Sequence, residues 1–217
     1  KRQGYIIGGS SSSPRSEKLA AGQPDAYGKS VAGFGNLDYW VVKLDPEGKI
    51  EWQKAFGGQY ADQLRSIVPV RGGGYLLAGS SNSPESGNKS EKCYGQSDYW
   101  VVKLDAKGEL EWQKAYGGES DDQLQAALQS ADGNFLLAGS SASGTTGNKN
   151  ASNGKGTDFW LLKIDPSGEV LWQKTYDIGK ADLLTSLEES RDGSLLLGGH
   201  AQSEAYSTKK KDKEGIN

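Results

Sequence analysis

Lysine and aspartate are the residues of this chain that recur where they could do acid–base chemistry. Lys43, Lys103 and Lys163 sit inside apolar runs, and Asp62, Asp122 and Asp182 recur alongside them. A lysine desolvated beside a carboxylate is one way to build a base or a nucleophile. The spacing argues for another use. Both sets return every 60 residues, and a site used once has no reason to recur in every unit. They are expected as repeated structural ion pairs or hydrogen bonds, because a lone charge inside a packed sheet is costly.

Other chemistry-bearing residues are sparse. Cys93 is the single cysteine and His200 the single histidine. No internal disulfide and no Cys/His zinc set can form from them. No nucleophile, base and orienting group stand together in the sequence. The expectation is therefore no cofactor, no metal and no enzymatic activity in this stretch. Asp45-x-x-Gly48-x-x-x-Trp52 invites comparison with the Asp-box of sialidases, but that motif reads Asp-x-Gly-x-x-Trp, and the arginines here (Arg2, Arg15, Arg65, Arg71, Arg191) do not cluster. The net charge of -3 gives no electrostatic reason for a nucleic-acid partner. No apolar run approaches the roughly 20 residues of a membrane helix.

The elements that position these residues come from a long repeat. Asp38-Tyr39-Trp40-Val41-Val42-Lys43-Leu44-Asp45 returns unchanged at 98–105, and as Asp158-Phe159-Trp160-Leu161-Leu162-Lys163-Ile164-Asp165. A fixed period of this size marks a repeat architecture. Each unit reads as four strand-like segments. In the second unit they are Gln63 to Val70, Gly74 to Ser80, Tyr99 to Asp105 and Glu109 to Tyr116, joined by the turns Arg71-Gly72-Gly73 and Ala106-Lys107-Gly108 and by the polar loop Ser81 to Ser97. Leu64, Ser66, Val68 and Val70 are expected on one face of the first segment and Ile67 on the other, with Pro69 marking a short or edge strand. The third segment is apolar on both faces, as for a strand covered on both sides. All six tryptophans fall on two repeat positions, 40/100/160 and 52/112/172. They are expected to form packed core, with backbone carbonyls accepting from the indole N–H. The first loop is ten residues longer than its counterparts, the insert falling within Pro14 to Phe34.

Short antiparallel strands in repeated sets of four predict an all-β fold, a β-propeller of about three four-stranded blades within a larger ring. The units run about 1–57, 58–117, 118–177 and 178–217, the last partial, in one domain. Lys1 to Tyr5 aligns inside a turn, and Gly215-Ile216-Asn217 aligns just ahead of an Asp-Tyr-Trp segment. Since rings close with about 4–8 blades, further blades or a partner chain are expected at both ends.

The series Gly-Tyr-Leu-Leu-Ala-Gly-Ser-Ser, Asp-Tyr-Trp-Val-Val-Lys-Leu-Asp and Trp-Gln-Lys-Ala-Tyr-Gly-Gly resembles the bacterial β-propeller repeat family, including quinoprotein-like repeats of secreted and surface proteins of Bacteroidetes-type bacteria. The resemblance implies an extracytoplasmic location. It implies a non-enzymatic scaffold or binding module for protein or glycan contact, using the inter-strand loops. The alternative it leaves is part of a propeller enzyme, a quinoprotein-like dehydrogenase or a glycosidase, with its site in other blades. The loop candidates for binding are Asn88, Lys89, Tyr94, Asn148 and Lys149, of which Gly87-Asn88-Lys89 and Gly147-Asn148-Lys149 share the period of 60. Asn88-Lys89-Ser90 and Asn150-Ala151-Ser152 fit a glycosylation sequon, a coincidence in a bacterial protein. Lys209 to Lys211 with Lys213 make a short basic run, broken by Asp212 and Glu214.

Overall fold

The computed structural model describes residues 4–15, 28–154 and 156–202. The basic run at 209–213 lies outside them. The described chain is all-β, with 13 strands in four antiparallel sheets and no helix. β1 (Tyr5–Ser11), β2 (Asp38–Leu44) and β3 (Ile50–Phe56) form the first sheet. β4 (Asp62–Pro69), β5 (Tyr75–Ser81), β6 (Asp98–Leu104) and β7 (Leu110–Tyr116) form the second. β8 (Asp122–Gln129), β9 (Phe135–Ser141), β10 (Asp158–Ile164) and β11 (Val170–Tyr176) form the third, and β12 (Ala181–Glu189) with β13 (Leu195–Gln202) the fourth. Strands lie in sequence order within each sheet, and none of the sheets closes on itself.

The turns explain the hairpins. Asp45 Oδ1 accepts from Glu47 N (3.0 Å) and Lys49 N (2.8 Å), and Asp105 and Asp165 repeat the pattern. A side chain bonded to its own backbone two residues on is a self-contained turn. Gly108 follows at φ +80°, and a β-carbon there would also strike the indole of Trp52 from the preceding sheet. Glycine is thus needed twice over at this position.

Each sheet packs on the next through two distinct faces. Tyr39, Val41 and Phe56 of the first sheet cover Leu77, Trp100, Val102 and Leu104 of the second. Tyr99, Val101 and Tyr116 of the second cover Leu137, Trp160, Leu162 and Ile164 of the third in the same way. The rings of Tyr39 and Trp100 lie 4.8 Å apart, those of Tyr99 and Trp160 4.7 Å. Each tyrosine hydroxyl donates to the carbonyl of the tryptophan it covers, at 3.0 Å. Backbone bonds tie the sheets further: Leu64 N, Leu124 N and Leu184 N donate to Ser10, Ser80 and Ser140 Oγ of the preceding sheet at 2.8–2.9 Å.

Three expectations need correction. The first segment does not alternate simply. A register shift at Arg65 (and at Gln125 and Thr185) turns Leu64 to the same side as Ile67, leaving Val68 on the other. One bulged residue breaks the period-two rule. The tryptophans are not uniformly core either. Trp100 and Trp160 are 0% exposed, but Trp40, Trp52, Trp112 and Trp172 are half-buried. The indole N–H of Trp40, Trp100 and Trp160 goes to the side-chain oxygen of Gln53, Gln113 and Gln173 at 3.0–3.2 Å, not to a carbonyl. Only Trp112, among the described bonds, donates to a carbonyl, that of Pro166 (3.1 Å).

Candidate functional site

The repeated lysines make ion pairs and the repeated aspartates accept hydrogen bonds, but the two sets do not pair with each other. Lys43 meets Glu51 (3.1 Å) and Lys103 meets Glu111 (2.6 Å) across a hairpin. Leu171 takes the equivalent place in the third sheet, and Lys163 reaches Asp132 instead (2.5 Å). Asp62 accepts from Gly58 N (2.7 Å), Ser83 Oγ (3.1 Å) and Ser81 Oγ, and Asp122 from Gly118 N (2.8 Å) and Ser143 Oγ (2.7 Å). Burial pushes both carboxyls above the usual carboxylate range, against these bonds.

The loops that join second to third strands cluster at one end of the sheets. Asn88 Nδ2 donates to Ala55 O (2.9 Å) and its Oδ1 accepts from Gly57 N (2.9 Å), so this loop caps the last strand of the preceding sheet. Asn148 does the same at Ala115 O (2.8 Å) and Gly117 N (2.9 Å). Gln113 holds the loop from the other side: its Oε1 accepts from Ser90 N (3.1 Å) as well as Trp100, and its Nε2 donates to Asn88 O (2.9 Å). Gln53 and Gln173 repeat this clamp. Sequence reasoning missed these glutamines, although Trp-Gln-Lys recurs at 52, 112 and 172.

Lys89 and Lys149 lie within the loops, 3% and 2% exposed. Lys149 Nζ donates to Ser143 O (2.9 Å), Asn153 Oδ1 (2.7 Å) and Ala151 O, and lies 5.6 Å from the Trp160 ring centre. Lys89 Nζ donates to Glu91 O and lies 5.8 Å from that of Trp100. Burial lowers the pKa of both, with nearby carboxylates opposing. A cation over an indole within an apolar wall braces the loop; these two ammonium groups are turned inward, away from solvent. Lys29 follows the pattern, buried and donating to Ser13 O (2.8 Å).

Tyr94 and Asn148 line a groove of about 550 Å³ between the second and third sheets. Asn148 Nδ2 also donates to the Tyr94 hydroxyl (3.3 Å). The floor and walls add Tyr116, Trp172, Glu91, Asn150 and the Lys114–Glu169 ion pair. Aromatic faces, amides and carboxylates in one groove offer stacking and hydrogen bonding to a polar ligand. Asn88 holds the corresponding position one unit earlier. Cys93 is elsewhere: burial, then the Asp98 carboxylate, push its thiol up to about 11, which suppresses the reactive thiolate. His200 is exposed at the end of β13. No protein-family model matches the chain, and no curated protein matches it.

Proposed function

We propose that the chain is a β-propeller module of the bacterial repeat type it resembles, serving as an extracytoplasmic scaffold that binds a glycan or protein segment through its rim. Three stacked antiparallel meanders followed by a hairpin of the same repeat support the propeller reading. The exposed face of the first sheet supports it as well. Tyr5 and Ile7 are 61% and 55% exposed there, beside Trp40, Val42 and Leu44. In the second and third sheets the equivalent residues are covered by the sheet before. A further sheet of the same repeat, from this polypeptide or another, fits that face.

The observation that carries the binding reading is the rim groove, where Tyr94 and Asn148 meet Trp172 and a set of polar side chains. The loops around it are pinned by the glutamine and asparagine clamps, so the groove is formed before any ligand arrives. Preorganisation lowers the ordering cost of binding. The test is an immobilised glycan panel probed with the full chain and with Tyr94→Ala and Asn150→Ala. Binding should fall roughly tenfold or more in the tyrosine variant, with unchanged melting. Glycan binding that both variants retain at full strength would place the contact outside this groove.

A further inference from the structure

The third and fourth sheets meet at a junction that departs from the repeat. At the earlier junctions the residue after the outer strand is Gly57 or Gly117; here it is Asp177. A β-carbon on Gly57 or Gly117 would overlap Oδ1 of Asp38 or Asp98. The third unit changes at a second, linked position. Phe34 N and Tyr94 N donate to Asp38 and Asp98, and Gly154 N donates to Asp158 in the same way, so glycine replaces an aromatic residue. Asp177 Oδ2 fills the place that a β-carbon on Gly154 would take. The two changes together bring a third carboxylate to a pair that every junction has.

Asp158, Asp177 and Asp182 each offer an oxygen, and the three oxygens lie within 4.8 Å of one another. Asp177 is exposed, while Asp158 and Asp182 are 0% exposed. The buried two use Oδ2 on backbone amides: Gly154 N (2.7 Å) for Asp158, Ile178 N (2.7 Å) and Gly179 N (3.0 Å) for Asp182. Their Oδ1 atoms are buried without a hydrogen-bond partner among the described residues, as are those of Asp38, Asp98 and Asp122 at the earlier junctions; only here does a third carboxylate stand beside them. A buried carboxylate oxygen left unpaired is costly, and a third acid beside two others adds repulsion. Lys149 acts on Asp158 from a distance, but its Nζ bonds carbonyls and Asn153.

A bound cation resolves both costs. Oxygens bound to one Ca²⁺ at about 2.3–2.6 Å lie at most about 5 Å apart, and Mg²⁺ at about 2.1 Å reaches about 4 Å. A spread of no more than 4.8 Å lies within the reach of the larger ion, whose flexible coordination suits three carboxylates on separate segments. We propose that Asp158, Asp177 and Asp182 form a calcium-type divalent-cation site at the junction of the third and fourth sheets. Asp177 forms its solvent-facing lip, and water completes the coordination.

The test is calorimetric titration of the chelator-treated full chain with CaCl₂ alone, beside Asp177→Asn and Asp177→Gly. The glycine variant restores the residue of the other two junctions, and thermal melts verify that each variant folds. One Ca²⁺ site is expected in the wild type, weakened roughly tenfold or more in both variants. Calcium should raise the Tm of the wild type and leave that of the variants nearly unmoved. Equal binding by wild type and variants overturns the proposal. So does the absence of both heat and Tm shift at millimolar calcium, which would mean that protons or a lysine (Lys209 holds the repeat position of Lys149, outside the described residues) neutralise the junction.

Discussion

β2 and β6 have the same seven residues in the same order, and they do not have the same surroundings. Both run Asp-Tyr-Trp-Val-Val-Lys-Leu and pair with their neighbours in matching register. Every residue of β6 is buried, while Trp40 and Leu44 of β2 are half-exposed. The difference lies wholly on one face. Tyr39 and Tyr99 are each 0% exposed because each faces the following sheet. Trp100 is sealed by Tyr39, whereas among the described residues no sheet covers the corresponding face of Trp40. Identical sequence thus fixes backbone and register, and the neighbouring unit decides what burial is worth.

The strongest test of that distinction is the paired truncation Trp100→Ala and Trp40→Ala. A fully buried indole removed from a packed core costs about 3–5 kcal/mol. The half-exposed one, with less surface to lose, should cost about half of that or less. Denaturant melts of the two variants measure both. Equal losses would show that the open face of the first sheet is covered in solution, by self-association or by residues outside the described set.

The next effect comes from the aspartate that opens the strand. Burial, with a smaller contribution from Asp122, pushes the Asp98 carboxyl up to about 6 against the opposing Tyr94 N–H bond. An unfolded aspartate titrates near 4. Between about pH 4 and 6 the folded chain therefore holds a proton that the unfolded chain has released, so stability falls as pH rises through this window. The loss is complete above about pH 6, at about 1.4 kcal/mol per unit of separation. Asp98→Asn should reduce the slope of stability against pH between 4 and 6. An unchanged slope would mean that this carboxylate is better solvated than its position in β6 suggests.

These contrasts also show where sequence reading stops. Strand positions, turns and the period were legible because alternation, Asp-x-x-Gly turns and exact recurrence are local signals. The four segments of the second unit fall within a residue or so of the strands at Asp62–Pro69, Tyr75–Ser81, Asp98–Leu104 and Leu110–Tyr116. The bulge at Arg65 was not legible, since it adds no Gly or Pro and only shifts which side Leu64 faces. The inward turn of Lys89 and Lys149 was hidden because an isolated lysine in a polar loop looks solvated; the indole and carbonyls that hold it come from distant segments. Of the five loop candidates, Tyr94 and Asn148 reach the groove, and Trp172 and Glu169 join them only through the packing of two sheets.

A smaller effect separates the two faces of the same strand. Tyr39→Phe and Tyr99→Phe each remove a hydroxyl that donates to a carbonyl of the next sheet at 3.0 Å. Each should cost about 0.5–1.5 kcal/mol. The two costs should agree, unlike those of the tryptophan pair, because both tyrosines look toward a sheet that is present. Phe159 at the third position shows that the ring alone is accommodated there. A large difference between the tyrosine variants would break the claim that the forward face is equivalent in the first two sheets.

The smallest effect expected is that of the long first loop. Ser13 and Lys29 make the same bond as Ser143 and Lys149, Nζ to carbonyl at 2.8 and 2.9 Å. The first pair is 16 residues apart and the second six, so the ten extra residues lie between Ser13 and Gly28, mostly outside the described residues. Both ends of the short form are therefore already in place: Lys29 is buried, and Gln53 holds Ser30 N and Gly28 O as Gln113 holds Ser90 N and Asn88 O. Deleting residues 16–25 should give the first loop the length of the second. Closing a loop ten residues shorter changes its entropy by less than about 1 kcal/mol, and surface changes of this kind shift stability by about 0.5 kcal/mol or less. A cooperative melt within that range is the expected result. A loss of several kcal/mol would show that the insert covers the open face beside Trp40, and the two tryptophan truncations should then have come out alike.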